Sequence, residues 1–364
     1  MKNSFGGSVQ VTLFGESHGA YVGATVDGLA PGIPVDPDRV RRKLSQRAPA
    51  GRISTARNER DEARFVSGVF EGKTTGAPLT VLIPNEDTRS GDYSAMRALA
   101  RPGHADYAGF VKYGGCEDYR GGGHFSGRLT APLVAVGAVA GGALENRGIR
   151  IGTHIRACAG IPDRDFGDLE SDIAALDLLP FAALDESAGA RMRKAIEEAA
   201  EAGDSVGGVL ETAVLGVPAG VGEPWFDGIE SALSRVLFGI PAVKGVEFGD
   251  GFALAAMRGS EANDPFTVKD GAIVTETNRN GGVNGGITNG MPLLFRTAIK
   301  PTPSIALPQR TVDFVRMRNA ETRVGGRHDP AIVHRARAAV DAVTALALAD
   351  LLALRFGTDW LGGA

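Results

Sequence analysis

The stretch Phe14 to Gly23, FGESHGAYVG, sets a serine and a histidine side by side between glycines. Gly15-x-Ser17-x-Gly19 has the spacing of the strained turn that displays a nucleophilic serine in hydrolases. That turn needs a strand before the serine and a helix starting at it. Val9, Val11 and Leu13 alternate with polar neighbours and predict the strand. The residues after it, AYVGATVDGLAPGIPV, hold glycine and proline too often for a helix. Ser17 is therefore disfavoured as a nucleophile. That leaves His18 as the residue to weigh. A lone histidine in a turn is usually just a polar turn residue, so His18 matters only in company.

That company comes from three other stretches. RPGHADY places His104 in a Pro-Gly turn three residues after Arg101; alone it reads as a surface loop. DYRGGGHFSGRLTAP runs three glycines, Ser126 and Arg128 straight into an apolar segment. Exposed backbone N–H groups and a helix N-terminus there would attract phosphate or another anion. It lacks the Lys-Ser/Thr of a P-loop and the spacing of a dinucleotide fingerprint. GGRHDP puts Arg327 and His328 before Asp329, and Asp before Pro is a good helix N-cap, which alone would explain Asp329.

Arginines are dense between Arg39 and Arg64. Most such runs are solvated faces. Val40, Leu44 and Arg47, however, share one helical stripe, so Arg47 points toward the body of the protein. A buried guanidinium needs a partner. An anionic ligand or a structural carboxylate would serve equally, and Arg52 is a second candidate.

The elements that must carry these residues follow from local signals. Asp36-Pro37 opens a helix to about Gln46. Phe65–Phe70 and Leu79–Ile83 read as a hairpin, and Leu129–Asn146 as a helix of small residues closed by Gly148. Strands are predicted near 149–158, 207–217, 243–248 and 293–299, with helices at 185–203 and 225–238. Asp329-Pro330 opens a long C-terminal helix. No linker composition divides the 364 residues, so the expectation is one large α+β domain. The net charge of −4 and 6% aromatic content disfavour a nucleic-acid binder using the arginine run. Cys116 and Cys158 are too few for a disulfide framework and lack metal-ligand spacing. The N-terminus has no signal-peptide pattern, and Arg337, Asp341 and Asp350 interrupt the most apolar late segment. A cytoplasmic protein without metal or membrane is expected.

Taken together, FGESHG, RPGHADY, DYRGGG, VKGVEFGDGF, KPTPS and GRHDP resemble the chorismate synthase family in order and spacing, over nearly the whole chain. The resemblance implies a homotetramer whose subunits have a β-α-β sandwich core. It implies an anti-1,4-elimination of phosphate from 5-enolpyruvylshikimate 3-phosphate, giving chorismate. Reduced FMN is required without net redox change, kept reduced either by NADPH or by an external reductant. By residue match, His18 and His104 are the acids, one for the leaving phosphate and one for the flavin, and Asp329 accepts the proton from flavin N5 or relays it. Flavin contacts fall on His124, Phe125, Ser126, Pro241, Ala242, Gly285, Lys300, Pro301, Thr302, Pro303, Ser304 and Arg327. Other members carry arginine and serine where this chain has His124 and Phe125. Arg47, Arg52 and Arg128 would meet the anionic substrate or NADPH. On this reading Ser17→Ala keeps substantial activity; complete loss with a burst of acyl-enzyme would restore the hydrolase.

Overall fold

Alternate side chains along Leu79–Pro84 and along Leu293–Ile299 are fully buried, so each of these strands hides one face. The sheets they belong to must each be covered on one side. The structure, a computed structural model, describes residues 2–49, 51–54, 61–86, 97–324 and 329–362. The first sheet runs in the order Ser4–Phe5, Gln10–Gly15, Tyr21–Asp27, Leu79–Pro84, Arg64–Ser67. The second runs Val243–Phe248, Leu293–Ile299, Gly208–Leu215, Arg150–Cys158, Ile161–Pro162. Neighbours are antiparallel throughout both.

Helix Thr130–Glu145 covers the first sheet, helix Val333–Phe356 covers the second, and the two helices pack on each other. This is the α+β, β-α-β sandwich expected. A helix covered on both sides must be apolar all round. Gly127–Glu145 is in fact long and apolar enough to cross a bilayer, but 83% of that stretch is buried inside the protein. Its small residues let the helices approach closely. A Cβ at Gly137 would lie 2.5 Å from the Ala342 Cβ and 2.7 Å from its Cα. Helix Pro37–Arg47 packs across both, capped by Asp36, whose carboxylate accepts from Asp38 N at 2.9 Å. Asp350 of the C-terminal helix accepts from the backbone N–H groups of Ser8 at 2.7 Å and Val9 at 2.8 Å. One apolar cluster then runs from Val9 to Leu361.

Three local expectations differ. The connection inside the first sheet's hairpin folds back as a small hairpin of its own, Val69–Phe70 with Lys73–Thr74. Gly228 splits the 225–238 segment into a 3-10 turn, Trp225–Asp227, and a helix, Ile229–Leu237. The long C-terminal helix starts at Val333, so Asp329 is not its cap. The Pro330 carbonyl is engaged by Val206 N at 2.8 Å instead, and the Asp329 carboxylate turns to Arg335.

Gly137→Ala tests the helix crossing. In an open helix the change would gain up to about 1 kcal/mol; here overpacking should cost about 1–3 kcal/mol. A lower thermal midpoint is expected, and an unchanged or higher one would contradict the close approach.

Candidate active site

The turn GESHG joins two antiparallel strands, Gln10–Gly15 and Tyr21–Asp27. It is held by another turn, Gly121-Gly122-Gly123, whose three residues all have left-handed φ, at 59°, 85° and 53°. Only glycine adopts three such conformations in a row at low cost. A second reason is space. A Cβ on Gly121 would lie 2.2 Å from His18 Cε1 and 2.3 Å from its Nδ1. A Cβ on Gly122 would lie 3.2 Å from both Cε1 and Nε2 of His104. Adjacent glycines thus seat the two histidines, one each. Gly123 O accepts from Ser17 N at 3.0 Å, and His124 Nδ1 donates to Gly15 O at 2.8 Å. Both bonds lock the histidine turn onto the glycine turn.

His104 has a partner the sequence reading passed over. Asp106 Oδ1 lies 2.8 Å from His104 Nδ1, while Arg101 grips the same carboxylate through Nε at 2.7 Å and Nη2 at 2.6 Å. Arg101 Nη2 also lies 3.1 Å from Nδ1, so Arg101 and Asp106 together engage that nitrogen and Nε2 is the one turned toward Gly122. Burial alone would raise the Asp106 carboxyl. The hydrogen bonds from Arg101 and His104 outweigh it and hold the group well below the usual carboxylate range. Lys300 Nζ reaches Gly103 O at 2.5 Å, joining the RPGH turn to the end of the second sheet.

Arg47 and Arg128 are 7% and 4% exposed. Arg47 donates to Thr130 Oγ1 at 2.8 Å and to Asp61 Oδ2 at 2.5 Å. Arg128 donates to Asn85 Oδ1 at 2.9 Å, to Pro84 O at 2.9 Å and to Asp61 Oδ1. The structural carboxylate that Arg47 required is therefore Asp61. Asn85 in turn donates to Glu16 O at 2.9 Å and Gly19 O at 2.8 Å, so the arginine pair is wired to the turn bearing His18. Across the cavity, Arg335 Nη1 donates to both oxygens of Asp329 at 2.8 and 2.9 Å, and Arg335 Nε to Arg47 O at 2.8 Å.

His18, His104, Asp61, Arg101 and Arg335 border one cavity of about 930 Å³. It gathers His18, His104, Asp329, Arg47, Arg128, His124, Phe125, Ser126, Pro241, Ala242, Lys300, Thr302, Pro303 and Ser304. Its lining also has an apolar part, which includes Leu133, Val236, Ile240, Ala339 and Val343. Thr302 Oγ1 is buried there without a hydrogen-bond partner among the described residues, a group a ligand would satisfy. Ala242 holds a left-handed φ of 75°, rare for a residue with a Cβ. Pro301 and Gly285 do not line the cavity. Gly285 sits in a hairpin, Val283–Asn284 with Ile287–Thr288, beyond the opposite end of strand Leu293–Ile299 from Lys300. Its glycine is explained by a φ of 61° instead of by close approach within this chain. The Arg52 side chain and Arg327 lie outside the described residues. Sequence reading missed Asp61, Asn85, Asp106 and Arg335; only Asp106, two residues after His104, stood close enough to a suspected residue to be found.

Such a cavity, with buried arginines, two histidines and a carboxylate around an apolar floor, defines an enzyme for a small anionic substrate. Comparison with known proteins narrows this. The profile of the chorismate synthase family matches residues 9–353. Chorismate synthase of Thermococcus gammatolerans is 52% identical over 344 residues, covering 94% of this chain and 96% of that protein. Chorismate synthase of Aeropyrum pernix is 48% identical over 355 residues, covering 97% and 93%. A crystal structure of chorismate synthase superposes with a TM-score of 0.76 at 28% identity, covering 97% of this chain and 94% of that one. The chain belongs to the chorismate synthase family. Its activity is that of a carbon–oxygen lyase of the shikimate pathway, which removes phosphate from 5-enolpyruvylshikimate 3-phosphate to give chorismate.

Gly121→Ala should displace the His18 ring and reduce turnover at least about 10-fold, the scale of a lost acid catalyst, while the circular dichroism spectrum stays native. Full activity in that variant would show that His18 need not lie against the glycine turn.

Proposed function

We propose that this one cavity binds 5-enolpyruvylshikimate 3-phosphate and reduced FMN together, and that the chain is a single chorismate synthase domain. The observation that carries this reading is the seating of His18 and His104 on adjacent glycines, with the Arg47–Asp61–Arg128 cluster beside them. The substrate bears a phosphate and two carboxylates, which the buried arginines complement. The apolar part of the lining and the unpartnered Thr302 hydroxyl suit a planar ring with polar edges. Pro241, Ala242, Lys300 and Thr302 to Ser304 would hold the flavin, with His124, Phe125 and Ser126. When bound, reduced FMN supplies electron density that helps the carbon–oxygen bond to phosphate break.

The chain's own residues manage protons and charge. One of His18 and His104 protonates the departing phosphate; the other holds a proton next to the flavin and keeps it monoanionic. Arg101 and Asp106 engage His104 Nδ1, so its proton exchange runs through Nε2. Asp329, oriented by Arg335, is the final acceptor or the relay for the proton that leaves carbon 6 of the substrate. NADPH is a candidate reductant for the flavin, with an external reductant as the alternative. A cytoplasmic homotetramer is the assembly that the family suggests.

His18→Ala and His104→Ala should each lower anaerobic turnover with photoreduced FMN by roughly 10-fold or more. Near-normal turnover in both would sink the acid assignment. Asp329→Asn keeps the side-chain shape and an oxygen that can accept from Arg335, and Asp329 caps no helix, so the variant should stay folded with only a modest drop in thermal midpoint while activity falls. Unfolding of that variant would instead make Asp329 a structural residue.

A further inference from the structure

We propose that Asp61 is the positioning residue of the anion-binding wall: its carboxylate holds the Arg47 and Arg128 guanidiniums side by side as one site for a substrate phosphate or carboxylate. This rests on the reading of the cavity as the site for 5-enolpyruvylshikimate 3-phosphate.

The two arginines come from distant elements. Arg47 ends helix Pro37–Arg47, and Arg128 lies in a 3-10 turn capped by Ser126. Each takes a different oxygen of the same carboxylate, Oδ2 for Arg47 and Oδ1 for Arg128. The Asp61 side chain is 6% exposed and borders the cavity. Two guanidiniums this close and this buried would repel strongly without a shared counter-ion. A carboxylate shared between the two guanidiniums offsets that repulsion and fixes their separation. Fixed acceptors set the two planes: Thr130 and Gly127 O for Arg47, Asn85 and Pro84 O for Arg128. The Asn85 bonds to Glu16 O and Gly19 O then tie the placement of this charge to the turn that carries His18. Asp61 touches no reacting atom in this scheme. It acts through the arginines, so its loss belongs in substrate binding more than in the chemical step.

The test compares Asp61→Asn and Asp61→Glu with wild type, using the full chain loaded with FMN. Steady-state turnover gives KM and kcat, and calorimetric titration with inorganic phosphate gives an affinity that needs no turnover. Asp61→Asn keeps the shape but loses the charge; KM and the phosphate Kd should rise about 10-fold or more, with kcat changing less than about 3-fold. Asp61→Glu keeps the charge but cannot meet both arginines at the same spacing. It should melt like wild type and still bind phosphate more weakly, and it decides the matter alone if Asp61→Asn does not fold. Unchanged phosphate affinity in the folded variants overturns the proposal. So does tighter binding in Asp61→Asn, the result for a carboxylate that merely fills the place of the substrate's anion. If wild type makes no chorismate, the reading of the cavity fails, while the phosphate titration still judges Asp61.

Discussion

Three consecutive glycines in left-handed conformation, Gly121 to Gly123, are the constraint on which the site depends. They leave room for the His18 and His104 rings, and Gly123 O binds the Ser17 amide. Any Cβ at Gly121 would occupy the volume of the His18 imidazole. The histidines come from elements about 86 residues apart in the chain, and this turn is where they meet. Left-handed glycine costs more entropy on folding than other residues do. The bonds from Ser17, and from His124 to Gly15, offset part of that cost.

A second layer of constraint is counter-charge. The cavity concentrates arginine and histidine, and five of these groups have a carboxylate partner: Asp61 for Arg47 and Arg128, Asp106 for Arg101 and His104, Asp329 for Arg335. Burying a cation without such a partner is costly. Carboxylates held by hydrogen bonds, as Asp106 is, stay ionised and keep the cations in fixed geometry. Site chemistry and local stability thus rest on the same bonds. The sandwich supplies rigidity, because the helices bearing Thr130 and Arg335 are pressed together at Gly137 and Ala342.

Much of the frame was legible because its signals are local. Asp36-Pro37 opened a helix where cap chemistry placed it, and the alternation of Val9, Val11 and Leu13 marked a strand. His18 and His104 were legible as a pair through their shared glycine and arginine surroundings and the family resemblance. The triple glycine was legible only as exposed backbone N–H groups for an anion; that it also seats two histidines was not, because what a missing Cβ makes room for is decided by distant parts of the chain. Asp61 and Asn85 left no periodic trace: their bonds to Arg128 span 67 and 43 positions. Asp329 shows the reverse error. A good local cap signal was overridden when Arg335 and Val206 claimed the groups that capping would have used.

The central claim is that substrate and flavin share the cavity floored by Leu133, Val236 and Val343 and walled by the paired arginines and histidines. Absorbance titration of oxidised FMN, with and without 5-enolpyruvylshikimate 3-phosphate, tests it most directly. Joint occupancy requires the flavin to bind more tightly when substrate is present. Flavin affinity that is indifferent to saturating substrate would contradict a shared site.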